Sequence, residues 1–342
     1  MKLDKDAIRH RALELVFADG RRVASRLAKE IGVSRQVANG YLHALVQDGL
    51  IEAEGSTQAR IYHLRTLSQM ERTYPRAGLA EDVVWREDFA PRMADLPDNV
   101  RGIWQYVVTE MINNAIDHSG SRTVRVGLRR NALFTEAWVA DDGEGIFLKI
   151  QRVFDLYDPR EAILELAKGK LTTDPQNHSG EGIFFSTKMV DAFDIQSGRL
   201  RFRHNLHAPD MLSEHSNGAP GTQVWMRLAN HSTRTTTMIF DEFANPEDYT
   251  FDKTLVPVRL AQHEGEKLVS RSQAKRLAHR FERFKRVVLD FEGVDEIGQA
   301  FADELFRVFA ASHPDVRLTP INTAPRVADM VRRALSAGRG SN

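Results

Sequence analysis

One stretch of the sequence places chemically versatile side chains on a single predicted helix face. Within T-E-M-I-N-N-A-I-D-H-S, residues 109–119, the spacing is i, i+4, i+7 and i+8 for Glu110, Asn114, Asp117 and His118. That spacing brings side chains to one side of an α-helix. Carboxylate, carboxamide and imidazole groups arranged in this way can position a water molecule, a metal ion or a phosphate. A solvated polar stripe would give the same pattern, so this helix alone leaves both interpretations open.

Two glycine motifs follow this helix in the chain. The first, which follows an apolar strand pattern, is Asp141-Asp142-Gly143-Glu144-Gly145. The second, which precedes an apolar helix pattern, is His178-Ser179-Gly180-Glu181-Gly182-Ile183. Each motif alone is common turn chemistry, but glycines allow close backbone approach and helix N-termini attract phosphate. A Walker A motif does not occur in the sequence, so phosphate binding by a P-loop is not indicated.

The order of these three segments resembles the nucleotide-binding site of the superfamily of gyrase, heat-shock chaperones, histidine kinases and the mismatch-repair ATPase MutL (GHKL). The resemblance covers roughly residues 80–230. It implies an α/β sandwich in which a mixed, mainly antiparallel sheet is backed by helices, and it implies ATP and Mg²⁺ as cofactors. It also implies that Glu110 polarises the attacking water and that Asn114 is the magnesium ligand.

The same resemblance implies further nucleotide contacts. Asp141 would accept a hydrogen bond from the adenine amino group, Thr222 would support the adenine end, and Gly143 and Gly145 would allow close approach. The other expected contacts are Asp117, His118, Ile146, Gly180, Glu181, Gly182 and Ile183. Glu181 departs from the family pattern, because many relatives carry a small residue there. Residues 146–179 are expected to form a lid, from which Lys168 and Lys170 either reach phosphates or remain solvated.

The N-terminal residues 1–66 show three helix patterns followed by two alternating strand patterns around a turn at Gly55. With the segment L-A-K-E-I-G-V-S-R-Q-V, this order resembles a winged helix-turn-helix. The resemblance implies that the third helix enters the major groove of DNA, with contacts from Ser34, Arg35, Gln36 and Asn39. A winged helix that binds protein instead is the alternative.

Residues 67–100 are expected to be a linker and the start of the ATPase domain, which would occupy residues 101–230. The linker contains no histidine, so the hairpin that carries the phosphate-accepting histidine of a sensor kinase is missing. An ordinary histidine kinase is therefore disfavoured. Within the ATPase domain, residues 204–220 are expected to be an irregular polar loop because they contain glycine and proline without apolar alternation.

Residues 238–337 show strands alternating with helices, which predicts a small α/β domain. The segment V-V-L-D-F-E-G-V-D-E-I resembles the central strand and turn of STAS domains, which implies a STAS-like domain with a possible protein partner. Residues 287–311 contain no serine, threonine or tyrosine, so the phosphorylation known from other STAS domains is excluded at this turn.

Composition sets further limits. The 342 residues carry 47 basic and 47 acidic side chains, which gives a formal net charge of zero, so DNA binding must depend on local patches. Cysteine is absent, which excludes disulfides and thiolate chemistry. The sequence shows neither a secretory signal nor an apolar run long enough for a membrane span. We therefore expect a cytoplasmic α/β multidomain protein without a membrane partner, and a homodimer because winged helices commonly pair on DNA.

Three functional hypotheses remain open at this stage. The first is an ATP-binding and ATP-hydrolysing, DNA-associated regulator whose lid and domain arrangement respond to Mg-ATP. The second is a serine/threonine protein kinase of the anti-sigma-factor type that acts on a separate STAS protein. The third is a transcription regulator that binds the nucleotide without hydrolysing it.

Overall fold

The computed structural model describes residues 4–56, 59–172, 180–245, 250–262 and 266–339. The remaining residues lie outside this description, including 173–179 of the predicted lid with His178 and Ser179, and 57–58 of the predicted N-terminal hairpin. The described chain is α/β. Its α-helices are α1 Lys5–Ala18, α2 Val23–Ile31, α3 Arg35–Gln47, α4 Glu81–Val84, α5 Asp98–His118, α6 Ile146–Val153, α7 Glu161–Lys168, α8 Gly182–Met189, α9 Thr236–Phe243, α10 Arg271–Ala278, α11 Gln299–Asp303, α12 Ala310–Ser312 and α13 Pro325–Arg339.

The strands form three sheets. In chain order they are β1 Ile51–Glu54, β2 Ile61–Leu64, β3 Ser68–Pro75, β4 Thr123–Arg130, β5 Phe134–Asp141, β6 Ala192–Asn205, β7 Ala208–Ala229, β8 Lys253–Pro257, β9 Arg286–Asp290 and β10 Arg317–Ile321. The first two pair as an antiparallel ribbon. A five-stranded antiparallel sheet has the order β3-β4-β5-β7-β6, and a three-stranded parallel sheet has the order β10-β9-β8.

The N-terminal unit packs α1, α2, α3 and the β1–β2 ribbon around its own core. Leu27, Leu42 and Leu45 are fully buried in it. Ser34 caps α3, because its Oγ accepts a hydrogen bond from the Val37 amide at 3.2 Å. Gly32, at φ +70°, ends α2 in the left-handed region that glycine enters without strain. All three helices agree with the sequence patterns.

The five-stranded sheet differs from the predicted secondary structure in two places. The segment expected to be a linker contains β3, which pairs with β4 along its whole length. Residues 204–220 are not an irregular loop, because β6 continues to Asn205 and β7 begins at Ala208. Both segments are mostly polar edge or ribbon strands, and pairing with a neighbouring strand satisfies their backbone groups without any apolar alternation.

The C-terminal strands and helices alternate as predicted and build the parallel sheet. One hydrophobic core runs without interruption from Val84 to Ala334, so the parallel unit shares its core with the five-stranded sheet. Helices α5 and α8 lie against each other on the five-stranded sheet, and Trp104 of α5 and Phe184 of α8 are almost completely buried. Among the described residues, each helix is too short or too polar to cross a bilayer.

Candidate functional site

A cavity of about 290 Å³ lies where α5 meets the end of β5 and the start of α8. Segments far apart in the chain line it, and most of them carry residues that the sequence pattern singles out. The lining residues are Glu110, Met111, Asn114, Ala115, His118, Ser119, Val139, Asp141, Gly145, Ile146, Lys149, Ile150, Leu166, Leu171, Thr172, Gly180, Gly182, Ile183, Thr222 and Val224. The volume lies near the lower end of the range for small-molecule sites.

Helix α5 supplies the polar wall of the cavity. Glu110, Asn114 and His118 line it, one helical turn apart, whereas Asp117 is exposed and does not line it. The Asn114 side chain carries a buried amide nitrogen that has no hydrogen-bond partner among the described residues. Because a buried amide group without a partner costs about 1–3 kcal/mol, this side chain is suited to a ligand in the cavity.

Gly182, the first residue of α8, lies directly against Glu110. A Cβ atom placed on Gly182 would overlap the Glu110 carboxylate, with Oε2 as the nearest atom. Glycine is therefore required for the carboxylate to lie at the N-terminus of α8. Gly180 has a similar constraint at φ +74°, because its Cβ would overlap the Leu171 backbone, and its carbonyl accepts a hydrogen bond from the Leu171 amide at 3.1 Å.

Asp141 forms the opposite end of the cavity. Its Oδ1 accepts hydrogen bonds from the amides of Gly143 at 2.9 Å and Thr222 at 3.2 Å. Burial raises the pKa of Asp141, although these two amides act in the other direction. The Thr222 hydroxyl in turn accepts a hydrogen bond from the Ile146 amide at 3.0 Å. These bonds connect the first glycine motif to Thr222 of β7, which lies 81 positions after Asp141 in the chain.

Two of the predicted nucleotide contacts in the glycine motifs, Gly143 and Glu181, do not line the cavity. Gly143 packs against Ser119, where a Cβ would overlap the Ser119 carbonyl, and the Glu144 amide donates to that carbonyl at 3.1 Å. Glu181 precedes α8 as its N-cap residue and is absent from the lining. Of the predicted nucleotide contacts, Asp117, Gly143 and Glu181 are therefore the three that the structure leaves off the wall.

Lys149 lines the cavity although the sequence motifs do not include it. It lies on the face of α6 that contains Ile146, and its Nζ donates to the His118 carbonyl at 2.6 Å. Burial lowers the pKa of Lys149. Because residues three apart share a helix face, the position of Lys149 relative to Ile146 could have predicted that both line the cavity. Apolar residues such as Val139 and Val224 were also missed, because inward-facing strand residues look the same whether they face a core or a cavity.

The two lysines of the predicted lid do not line the cavity. Lys168 is fully buried and donates to Glu165 Oε1 at 2.6 Å and to the His279 carbonyl at 2.9 Å. Lys170 donates to the Arg283 carbonyl at 3.0 Å. Both contact the C-terminal unit. Lys168 is not solvated, so the expectation of solvation is wrong for Lys168. Lys170 is half-buried, and neither expectation is tested for it.

Glu165 is the centre of this buried cluster. Besides Lys168, it accepts from Arg280 Nη1 at 2.9 Å and contacts His279 Nδ1 at 3.3 Å. Burial alone would raise the pKa of Glu165, but the cations around it lower the pKa to about 2. The next residue of the same helix, Leu166, lines the cavity. Helix α7 thus joins the cavity wall to the C-terminal unit.

The predicted DNA contacts Ser34, Arg35, Gln36 and Asn39 are all exposed at the start of α3. No group of three or more histidine, aspartate or glutamate side chains suited to a metal ion occurs among the described residues.

The C-terminal part of the chain matches a known family. The model of the STAS-like domain of unknown function (DUF4325) matches residues 273–328, from α10 to the start of α13. No curated protein matches the chain. The family match therefore supports the STAS-like resemblance for this segment, whereas the ATPase and winged-helix resemblances stay predictions.

Proposed function

We propose that the chain is an ATP-binding, ATP-hydrolysing regulatory protein with a GHKL-type nucleotide domain, an N-terminal winged helix-turn-helix and a C-terminal STAS-like domain. The observation that supports it best is the convergence of three motifs on one cavity. Four segments distant in sequence meet around a space of small-molecule size: Glu110 and Asn114 on α5, Asp141, Gly182 and Thr222.

The residues fit Mg-ATP in the following way. Asp141 is held on Oδ1 by two backbone amides, and its second oxygen would accept the adenine amino group. The apolar pair Val139 and Val224 lies on the same wall and suits an adenine ring. Thr222 keeps the glycine turn in place through the Ile146 amide.

At the other end, the N-terminus of α8 offers backbone amides beside the Asn114 carboxamide. Amides at a helix N-terminus favour phosphate, and the Asn114 oxygen would bind a magnesium ion that bridges the phosphates. The metal supplies charge neutralisation on the phosphates. Glu110, next to Gly182, is then positioned to orient and polarise a water molecule for attack on the γ-phosphate.

We further propose that the exposed start of α3 reads DNA and that nucleotide state is transmitted through α7. The buried Glu165–Lys168–Arg280 cluster fixes α7 to the C-terminal unit, while Leu166 contacts the cavity. A nucleotide that moves α7 must therefore also move the STAS-like domain. The nucleotide can change the equilibrium between two domain arrangements only by as much as its affinities for the two arrangements differ.

The proposal is tested with γ-³²P-labelled ATP, magnesium and the full chain. We expect release of free phosphate by the wild type, ATP binding with ~10²–10⁴-fold slower turnover for Glu110→Gln, and loss of magnesium-dependent binding for Asn114→Ala. Asn113→Ala is the matched control, because Asn113 neighbours Asn114 on α5 but does not line the cavity, and it should behave as the wild type.

Three other outcomes would contradict the proposal. Label on the protein, or on an added STAS protein, indicates a kinase. Intact ATP that remains bound indicates a binding module without hydrolysis. If the wild type does not bind ATP at all, the assignment of the cavity is wrong.

A further inference from the structure

The outer face of the five-stranded sheet carries a cluster of tryptophan and arginine side chains that the proposed function does not use. Helices α5 and α8 cover the opposite face, so alternate residues of the central strands point outward. Trp138 of β5 and Trp225 of β7 are direct cross-strand partners on this face. Both are half-buried, although tryptophan in an ordinary sheet would be expected to pack inward.

Trp138 lies over the neighbouring strand. Its cross-strand neighbour in β4 is Gly127, and a Cβ atom on Gly127 would overlap the indole ring. Covering a glycine in this way stabilises the strand pair, which explains the ring's position. Because Trp138 is only half-buried, part of the indole stays accessible on the outer face.

Arginines surround the two rings. Arg125 and Arg129 are exposed on β4, and Arg129 donates to its cross-strand neighbour Glu136 at 2.6 Å. On the other side, Arg201 and Arg203 both contact the single carboxylate of Asp194, at 2.8 Å and 3.1 Å. Arg227 lies over the Trp225 ring at 5.7 Å.

Part of this face is a shallow groove of about 500 Å³. Its lining includes Asp194, Trp225 and the arginines 201, 203 and 227, whereas Trp138, Arg125 and Arg129 lie outside it. Three guanidinium groups and one carboxylate thus line the groove, which is locally positive in a chain whose formal net charge is zero. Planar guanidinium groups bind phosphate through two parallel hydrogen bonds.

We infer that this face, the Trp–Arg sheet face formed by residues 125, 129, 138, 201, 203, 225 and 227, binds single-stranded nucleic acid. Bases stack on flat aromatic rings and phosphates pair with flanking arginines, a combination that tolerates any base sequence. Duplex DNA keeps its bases stacked inside the helix and cannot use the rings. An acidic protein segment would use the arginines but not the indole faces.

The position of the face relates it to the N-terminal unit. Arg227 also lies over Phe17 of α1 and Phe134 of β5, at 5.7 Å and 5.3 Å. The face therefore begins where the N-terminal unit is attached to the sheet. The inference itself depends neither on nucleotide binding nor on the assignment of α3.

Fluorescein-labelled dT20 and U20 are the probes, and anisotropy of the full chain at several salt concentrations is the measurement. We expect binding of at least one strand, with quenching of tryptophan fluorescence, because rings that stack on bases lose emission. The two probes distinguish DNA from RNA. Neutralising two phosphate contacts with Arg125→Gln/Arg203→Gln should reduce the slope of log K against log salt by about 1.4.

Two further variants complete the test. Trp225→Ala should weaken binding by about tenfold, a typical effect for one stacked base, with circular dichroism as the check on folding. Arg332→Gln/Arg333→Gln on exposed α13 removes the same charge elsewhere and should leave binding unchanged. The inference is overturned if neither strand binds, if both charge pairs weaken binding equally, or if an acidic peptide binds with the same affinity and quenching is absent. It is also overturned if Arg35→Ala abolishes binding of the single strands.

Discussion

Replacing Glu165 by glutamine tests how strongly α7 is attached to the C-terminal unit. Glu165 is 3% exposed and is the shared counterion of Lys168, which is 0% exposed, and of Arg280, which is also 3% exposed. Removing the carboxylate leaves two buried cations without compensation. Breaking a buried ion pair from one side typically costs about 3–5 kcal/mol, so we expect Glu165→Gln to lower the free energy of unfolding by that amount.

The pKa of Glu165 gives a second estimate. A carboxyl whose pKa falls from 4.5 to about 2 on folding contributes about 3 kcal/mol at neutral pH. Because the folded-state pKa is the lower one, this contribution is complete above about pH 4.5. It is lost as the pH falls from there toward 2. The wild type should therefore lose more stability over this window than Glu165→Gln, which has no group to protonate.

Urea unfolding followed by circular dichroism is the assay, because urea does not screen charge. Glu161→Gln is the matched control, since Glu161 lies one turn earlier on α7 and its pair with Arg276, at 3.2 Å, is partly exposed. That pair should contribute no more than about 1 kcal/mol. If both variants lose the same stability, or if the pH dependence of Glu165→Gln equals that of the wild type, the buried cluster does not hold α7.

The remaining predictions concern the cavity and α3. Gly182→Ala should slow ATP turnover by roughly 100-fold with little change in stability, because the new methyl displaces Glu110 and a misplacement of about 1 Å has an effect of that size. Gly102→Ala is the control, because Gly102 has open space around it. Equal turnover in both variants would contradict the reasoning. Thr222→Val should weaken ATP binding about tenfold in isothermal titration calorimetry, because the Ile146 amide loses its hydrogen-bond acceptor. Unchanged affinity would show that Thr222 does not support the site. Arg35→Ala should weaken binding of duplex DNA in gel-shift experiments and leave ATP turnover unchanged; an equal loss of both would mean that α3 acts through folding.

Much of the secondary structure could be read from local patterns. The three N-terminal helices follow from apolar spacing and from Ser34 and Gly32 as end signals. Helix α5 was recognised by its two faces, although it begins at Asp98, several residues before the apolar pattern becomes clear. Strand β3 and the 204–220 ribbon were missed for a common reason. Their stability comes from pairing with a neighbour, and a polar sequence carries no sign of the partner it will meet.

The sequence alone determined which side chains are available for chemistry, because residue type and helical spacing fix what α5 presents on each face. The tertiary structure decided which of them share a space. Asp117 belongs to the same polar helix face as Glu110 and His118, but it is exposed to solvent because the cavity wall occupies only part of that face. Lys168 was expected at the lid and instead neutralises Glu165 in the core. Lys168 donates to the His279 carbonyl and Glu165 accepts from Arg280, both more than 100 residues away. The cost of burying a charge therefore depends on partners that only folding brings together.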